Sequence, residues 1–190
     1  MKVLIIVTSA NKRSEFSNKT YNEQEVGLAK ALIRRGVECA IAFYGGKNEK
    51  HETVTCGEFQ IEMYLLKGKD FLKTSVFADY TDLFNKYDIL MPISYDHYET
   101  YNIARKYPEK TVVYHGTYFS KFNKRYNLKC RVFDLLLVPE YKRLNTLFVT
   151  KNILAKDFLN NKGLNNTSVI GVGFDREQIE KSEIYTSKVS

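Results

Sequence analysis

"KVLIIV", Lys2 to Val7, is an unbroken run of apolar and β-branched residues after its first lysine. A strand with one wet face alternates polar and apolar residues. A strand apolar throughout is buried on both sides, as in a parallel sheet covered by helices. The run ends in Thr8, Ser9 and Ala10 and passes into a polar stretch, "NKRSEFSNKT" (11–20). "YNEQEVGLAKALIRRG" (21–36) then repeats Val26 and Ala29, and Leu28, Leu32 and Ile33, at helical spacing. Acids open it, Arg34 and Arg35 close it, and Gly36 sits where a C-cap belongs. "VECAIAFY" (37–44) reads as a second strand closed by Gly45 and Gly46. A strand, a helix and a strand in this order predict a βαβ unit.

The same alternation continues outward from this unit. "KNEKHETVTCGE" reads as a connecting loop or short hairpin, "FQIEMYLL" (59–66) as a strand, and "DFLKTSVFADYTDLFNKY" (70–87) as an amphipathic helix. "DILMPI" (88–93) is another buried strand, and "HYETYNIARKYP" (97–108) a short helix stopped by Pro108. "TVVYHG" (111–116) is the next strand. Residues 128–144 are expected to be helical, with Pro139 kinking or breaking the helix. "TLFVTK" (146–151), "NILAKDFLNNKG" (152–163) and "TSVIGVG" (167–173) complete the pattern as strand, helix and strand. The predicted fold class is α/β, a Rossmann-like parallel sheet flanked by helices.

At 190 residues the chain suits one domain. Its net charge of +7 favours anionic partners such as phosphates, nucleotides or an acidic membrane surface. Residues 121–131, "KFNKRYNLKCR", hold five of the 29 Lys and Arg residues and no acid; the bland reading of such a run is a solvated face. Cys39, Cys56 and Cys130 are odd in number and widely spaced, which excludes a disulfide framework or a zinc site and points to reduced thiols in a cytoplasmic protein. The opening apolar run is too short for a signal peptide or a membrane span. There is no GxGxxG after the first strand, no GxxxxGK[ST] and no GxSxG, so a dinucleotide fold of the usual kind, a P-loop NTPase and an α/β-hydrolase are not expected. His51 and His97 show no metal-ligand spacing, and neither a metal nor a cofactor is expected.

Ligands of open α/β sheets bind beyond the carboxyl ends of the strands. This sequence places Thr8, Ser9, Ala10 and Asn11 there, then Ser94, Tyr95 and Asp96, then His115, Gly116 and Thr117, then Lys151 and Asn152, and last Phe174 and Asp175. Any Rossmann-type sheet shows such a rim, and a lone histidine at a strand end is more often structural than catalytic. Gly116 permits a sharp turn or a close approach to a ligand.

In order and spacing these segments resemble the N-terminal domain of a GT-B glycosyltransferase of family 4 (group 1). "MKVLIIV", the loop, and "EQEVGLAKALIRRGVECAIAFYGG" are similar to that family's opening strand, helix and second strand. "YDILMPIS", "VVYHG", "TLFVTKNILAKDFLNNKGL" and "TSVIGVGFD" are similar to its later elements. Two departures stand out: the loop after the first strand lacks the family's Gly-Gly, and "IGVGFD" lacks its Pro-Asn. The resemblance implies that residues 1–175 form the acceptor-side domain and 176–190 the start of an interdomain linker or C-terminal tail. A nucleotide-sugar donor would be held by a further C-terminal domain, without which no activity is expected. The acceptor would be a glycan or a lipid-linked sugar, and no nucleic-acid partner is implied. By the same resemblance His115 would lie near the transferring sugar and leaving phosphate, hydrogen-bonding a hydroxyl or steadying charge. Ser9, Asn11, Ser94, Tyr95 and Gly116 are candidate substrate contacts. Tyr118, Phe119, Lys121, Phe122, Lys124, Arg125 and Lys129 interleave aromatics with cations, a pattern that suits peripheral contact with an anionic bilayer at the inner membrane face. The competing expectation is a non-catalytic Rossmann-like module that binds a nucleotide or nucleic acid.

Overall fold

The structure, a computed structural model, describes residues 1–16, 24–71, 74–116 and 124–172. In chain order the first half runs β1 (Lys2–Ile6), α1 (Gln24–Ile33), β2 (Glu38–Gly46), β3 (Lys50–Cys56), β4 (Phe59–Phe71), β5 (Thr74–Phe77) and α2 (Thr81–Asn85). The second half runs β6 (Ile89–Pro92), α3 (Tyr98–Lys106), a 3-10 turn (Pro108–Lys110), β7 (Val112–His115), α4 (Lys124–Arg143), β8 (Leu147–Thr150), α5 (Ile153–Asn160) and β9 (Thr167–Val169).

β1 is central, as its apolar run requires. It pairs in parallel with β2 on one side and β6 on the other. Val3 and Ile5 face α1, packing with Val26 and Ala29, whereas Leu4 and Ile6 face the other side, with Phe84, Tyr87 and Ile103. All four strand residues are at most 2% exposed. Each such side chain contributes roughly 1.5–3 kcal/mol on burial, so alternation is absent because neither face is wet.

The strand order is β3-β4-β2-β1-β6, and parallel bridges Leu90–Thr111 and Ile93–Tyr114 carry the sheet on into β7-β8-β9. β2 and β4 are parallel, as are β7, β8 and β9. The α/β class and the parallel sheet read from the sequence are therefore present. α3, α4 and α5 close a further core over β7 and β8, built from Val113, Phe133, Leu137, Tyr141, Phe148 and Leu159.

Two expectations are corrected. Residues 70–87 are not one helix. β4 extends to Phe71, β5 folds back on it in antiparallel register from Gly68–Phe77 to Phe71–Thr74, and only Thr81–Asn85 is helical. Thr74, Val76 and Phe77 favour a strand, and ladder bonds to β4 override the helical spacing. Pro139 does not break its helix either: α4 runs from Lys124 to Arg143 with the proline inside and exposed. Leu137, Val138 and Tyr141 on either side of it are buried in the core, and that packing offsets the missing N–H bond.

Candidate functional site

The carboxyl ends of β1, β6, β7 and β8 lie side by side, because the strands between them are parallel and in register. Each tip has its own local chemistry. At β1, Thr8 is fully buried, and its Oγ1 donates to the Ile93 carbonyl (2.6 Å). With that proton committed, His97 Nδ1, 2.8 Å away, is the donor to Thr8 Oγ1; Thr100 Oγ1 lies at 3.0 Å. The Thr8 carbonyl accepts the backbone N–H of Ser75 (3.0 Å) and its Oγ–H (3.1 Å). β5 thus closes over the end of β1. Ser9 forms an antiparallel bridge with Thr74 and is half-buried, whereas Asn11 beyond it is exposed.

At β6, Ser94 adopts φ +71°, a conformation uncommon outside glycine, and its N–H donates to the Tyr114 carbonyl (2.9 Å). The turn sends Tyr95 inward. Its Oη donates to Asp134 Oδ1 (2.8 Å), its carbonyl accepts Tyr141 Oη–H (3.0 Å), and Lys162 pairs with Asp134 from the far side. Burial, reinforced by the Asp134 carboxylate, pushes the Tyr95 phenol well above its ordinary range. Asp96 is fully buried behind it.

At β7, His115 is 0% exposed. Its ring meets the Tyr95 ring edge-on (centroids 5.0 Å apart, planes at 88°) and lies nearly parallel to Phe158 of α5 (6.0 Å, 26°). Phe158 is only partly buried and Lys162 Nζ stands 4.3 Å over its ring, so Phe158 lies between the imidazole and solvent. Burial drives the His115 pKa down to about 3; Lys151, His97 and Lys162 push the same way and Asp96 opposes them. The imidazole is neutral at pH 7. His115 is expected beside a transferring sugar, yet its ring is enclosed, because Tyr95 and Phe158 sandwich the strand tip.

Gly116 follows, and a side chain from the end of β8 passes close over it. A Cβ there would stand 3.1 Å from Lys151 Cδ. The Lys151 chain lies over this glycine with its Nζ 5.0 Å from the Tyr114 ring centroid, and donates to Gln24 Oε1 at the start of α1. Burial lowers the Lys151 pKa, opposed by Glu25. Asn152 caps α5, its Oδ1 accepting the Ala155 N–H (2.8 Å).

The structure therefore brings Ser94, Tyr95, His115 and Gly116 together, with Ser9 at the neighbouring tip. Tyr118, Phe119, Lys121 and Phe122, with Phe174 and Asp175, lie outside the described residues. Lys124 and Arg125 are exposed at the start of α4; Lys129 lies on the same helix, its side chain outside the described set. Asp134, Phe158 and Lys162 carried no signal in the sequence: each sits within a helical stretch, and only the packing of α4 and α5 on β7 brings them to the site. Among the described residues, no helix is long and apolar enough to cross a membrane.

No protein-family model matches the chain, and no curated protein matches it. Among solved structures it is similar to an alpha-glucosyltransferase in complex with UDP and a 13-mer DNA containing a central A:G mismatch. The two share 16% sequence identity with a TM-score of 0.39, over 90% of this chain and 40% of that one. At that score the likeness carries no argument about chemistry.

Proposed function

We propose that this chain is the acceptor-side half of a glycosyltransferase of the GT-B type, akin to family 4. The enzyme would move a sugar from a nucleotide-sugar donor, held by a C-terminal domain, to a glycan or lipid-linked acceptor. The observation that carries the reading is the placement of His115 at the carboxyl end of β7, in parallel register with β8 and beside the tip of β6. This is the position where the order of motifs calls for a histidine facing the sugar.

The pKa of about 3 limits what His115 does. A neutral imidazole donates one hydrogen bond and accepts one, and supplies no positive charge to a departing phosphate. Its role is to hold a sugar hydroxyl in the geometry of transfer. Phe158 must turn aside when the sugar arrives, and its place on a short, partly exposed helix permits that. Lys151, whose chain lies over Gly116, is the rim cation that serves the leaving phosphate. Ser94 and Gly116 offer backbone groups, whereas Tyr95 acts through His115 by fixing its ring.

The test is acceptor-dependent release of nucleoside diphosphate from a panel of UDP- and GDP-sugars, using the longest polypeptide that carries this chain. The expected result is turnover that falls at least about a hundredfold in His115→Gln, with KM little changed, the loss typical of one oriented transition-state hydrogen bond. Wild-type turnover in a folded His115→Gln protein, or no turnover with any donor, contradicts the reading.

A peripheral membrane contact belongs to the same proposal. α4 carries Leu128, Val132, Leu135 and Leu136 on its outer side, 63%, 50%, 77% and 63% exposed. Their spacing of four, seven and eight residues is one helical stripe. Exposed Lys124, Arg125 and Arg131 flank it, and the described acids of α4 are engaged: Asp134 with Lys162, Glu140 with Arg143. An apolar stripe edged by cations suits an anionic bilayer, with the segment from Tyr118 to Phe122 leading into it.

A further inference from the structure

A groove of about 680 Å³ opens at the opposite end of the sheet, where β1, β2 and β4 begin. Its origin is topological. Parallel neighbours are usually joined by a helix that crosses over the sheet. Here β2 and β4 are parallel neighbours, but the chain between them forms β3, which pairs antiparallel on the outer edge of β4. α1 covers one face of this part of the sheet. On the other face no helix among the described residues lies over this end of β4, and Tyr87, just after α2, forms a wall.

The exposed face is furnished in a particular way. His51 of β3 and Tyr64 of β4 are direct cross-strand partners, and their rings stack flat, 4.2 Å apart at 3°. Tyr64 Oη donates to Glu62 Oε2 (3.1 Å) and accepts from Tyr87 Oη (3.3 Å), so a hydroxyl chain runs along the groove to a carboxylate. Glu62 Oε1 stands 3.9 Å from His51 Nε2 and is half exposed, able to accept further donors. Lys2 and Glu38 pair at 2.9 Å on the opposite wall, and Lys86 completes the rim. The lysines Lys2 and Lys86 balance Glu38 and Glu62, so the groove has no net sign to select an ion. What it offers is the outer face of a stacked aromatic pair beside carboxylates able to accept paired hydroxyl protons. That combination complements a pyranose ring, whose axial C–H faces lie on aromatics and whose vicinal hydroxyls bridge a carboxylate.

We propose that this groove binds a neutral pyranose unit of an oligosaccharide, with the stacked His51–Tyr64 pair under the sugar and Glu62 accepting its hydroxyls. The site lies at the other end of the sheet from His115 and does not depend on the transfer reaction proposed there.

The experiment is an NMR and calorimetric titration of this chain with maltotriose, cellotriose and tri-N-acetylchitotriose, with trigalacturonate and tetramethylammonium as charged controls. At least one neutral trisaccharide should bind with Kd below about 1 mM. It should shift the amides of Gln60, Glu62 and Tyr64 and leave those of Gly116 and Lys151 in place. His51→Ala and Glu62→Gln, both at exposed side chains, should each weaken binding about tenfold; Tyr87→Phe should keep the fold and lose only the end of the hydroxyl chain. No shift with any neutral trisaccharide at about 10 mM overturns the proposal. So does equal affinity for a charged control, or wild-type binding by both His51→Ala and Glu62→Gln.

Discussion

Glu99 is 7% exposed on α3, facing β5. Burial raises its carboxyl from the ordinary 4.5 to about 7, against the pull of Asn102, the Phe77 backbone N–H and Lys106. Between those two values the folded state holds a proton that the unfolded state has lost. Stability from this group is therefore complete below pH 4.5 and declines as pH rises through 7. Glu99→Gln removes the decline. It should leave stability at pH 4 unchanged and raise it at pH 8 by up to about 3 kcal/mol, read from urea unfolding at the two pH values. His115 obeys the opposite sign. Its lowered pKa costs nothing above pH 6.5 and withdraws stability as pH falls toward 3. The two residues flank the closure of the β1 tip, Glu99 against β5 and His115 one strand further on, and together they favour a weakly acid optimum.

At the scale of elements, two pieces of chain depart from a plain doubly wound sheet. The β4–β5 hairpin closes over the end of β1, and Ser75 and Thr74 stitch it there. Nothing in "DFLKTSVFADY" announces that arrangement: its apolar spacing fits a helix as well as a hairpin, and only the pairing with Gly68–Phe71 decides between them. By contrast, β1, β2, β6, β7 and β8 were legible as short, mostly apolar runs; β1, β2 and β7 are buried on both faces, whereas Leu147 at the start of β8 is 36% exposed. α4 is the second departure. Its stripe from Leu128 to Leu136 sets Leu135 at 77% exposure, more than a folded chain gains from leaving in water. If the stripe meets a bilayer, the chain should float with liposomes containing anionic lipid and remain in the dense fraction with neutral ones. Leu135→Glu with Leu136→Glu should abolish flotation without lowering Tm, since neither side chain is in the core. Flotation independent of those leucines would remove the membrane contact.

Across the whole molecule the strand tips form one rim, and the groove at β3–β4 sits at the far end of the same sheet. The rim was foreseeable from where each strand stops; its content was only partly so. His115, Gly116, Ser94 and Tyr95 come together as their strand ends imply. The enclosure of the imidazole does not follow from its own neighbours in sequence, because Phe158 arrives from α5 and Tyr95 is drawn in by Asp134 on α4. The groove was invisible, since it exists through a helix that the β2–β4 connection omits. A single quantity tests the arrangement on which the functional reading stands: the titration of the His115 ring, followed through its Cε1–H resonance in the chain and identified by its loss in His115→Gln. An imidazole held between Tyr95 and Phe158 should stay neutral from pH 8 down past pH 5, with a midpoint at about 3. A midpoint near the ordinary 6.5 would mean that the ring is open to water and that the rim is not built as described.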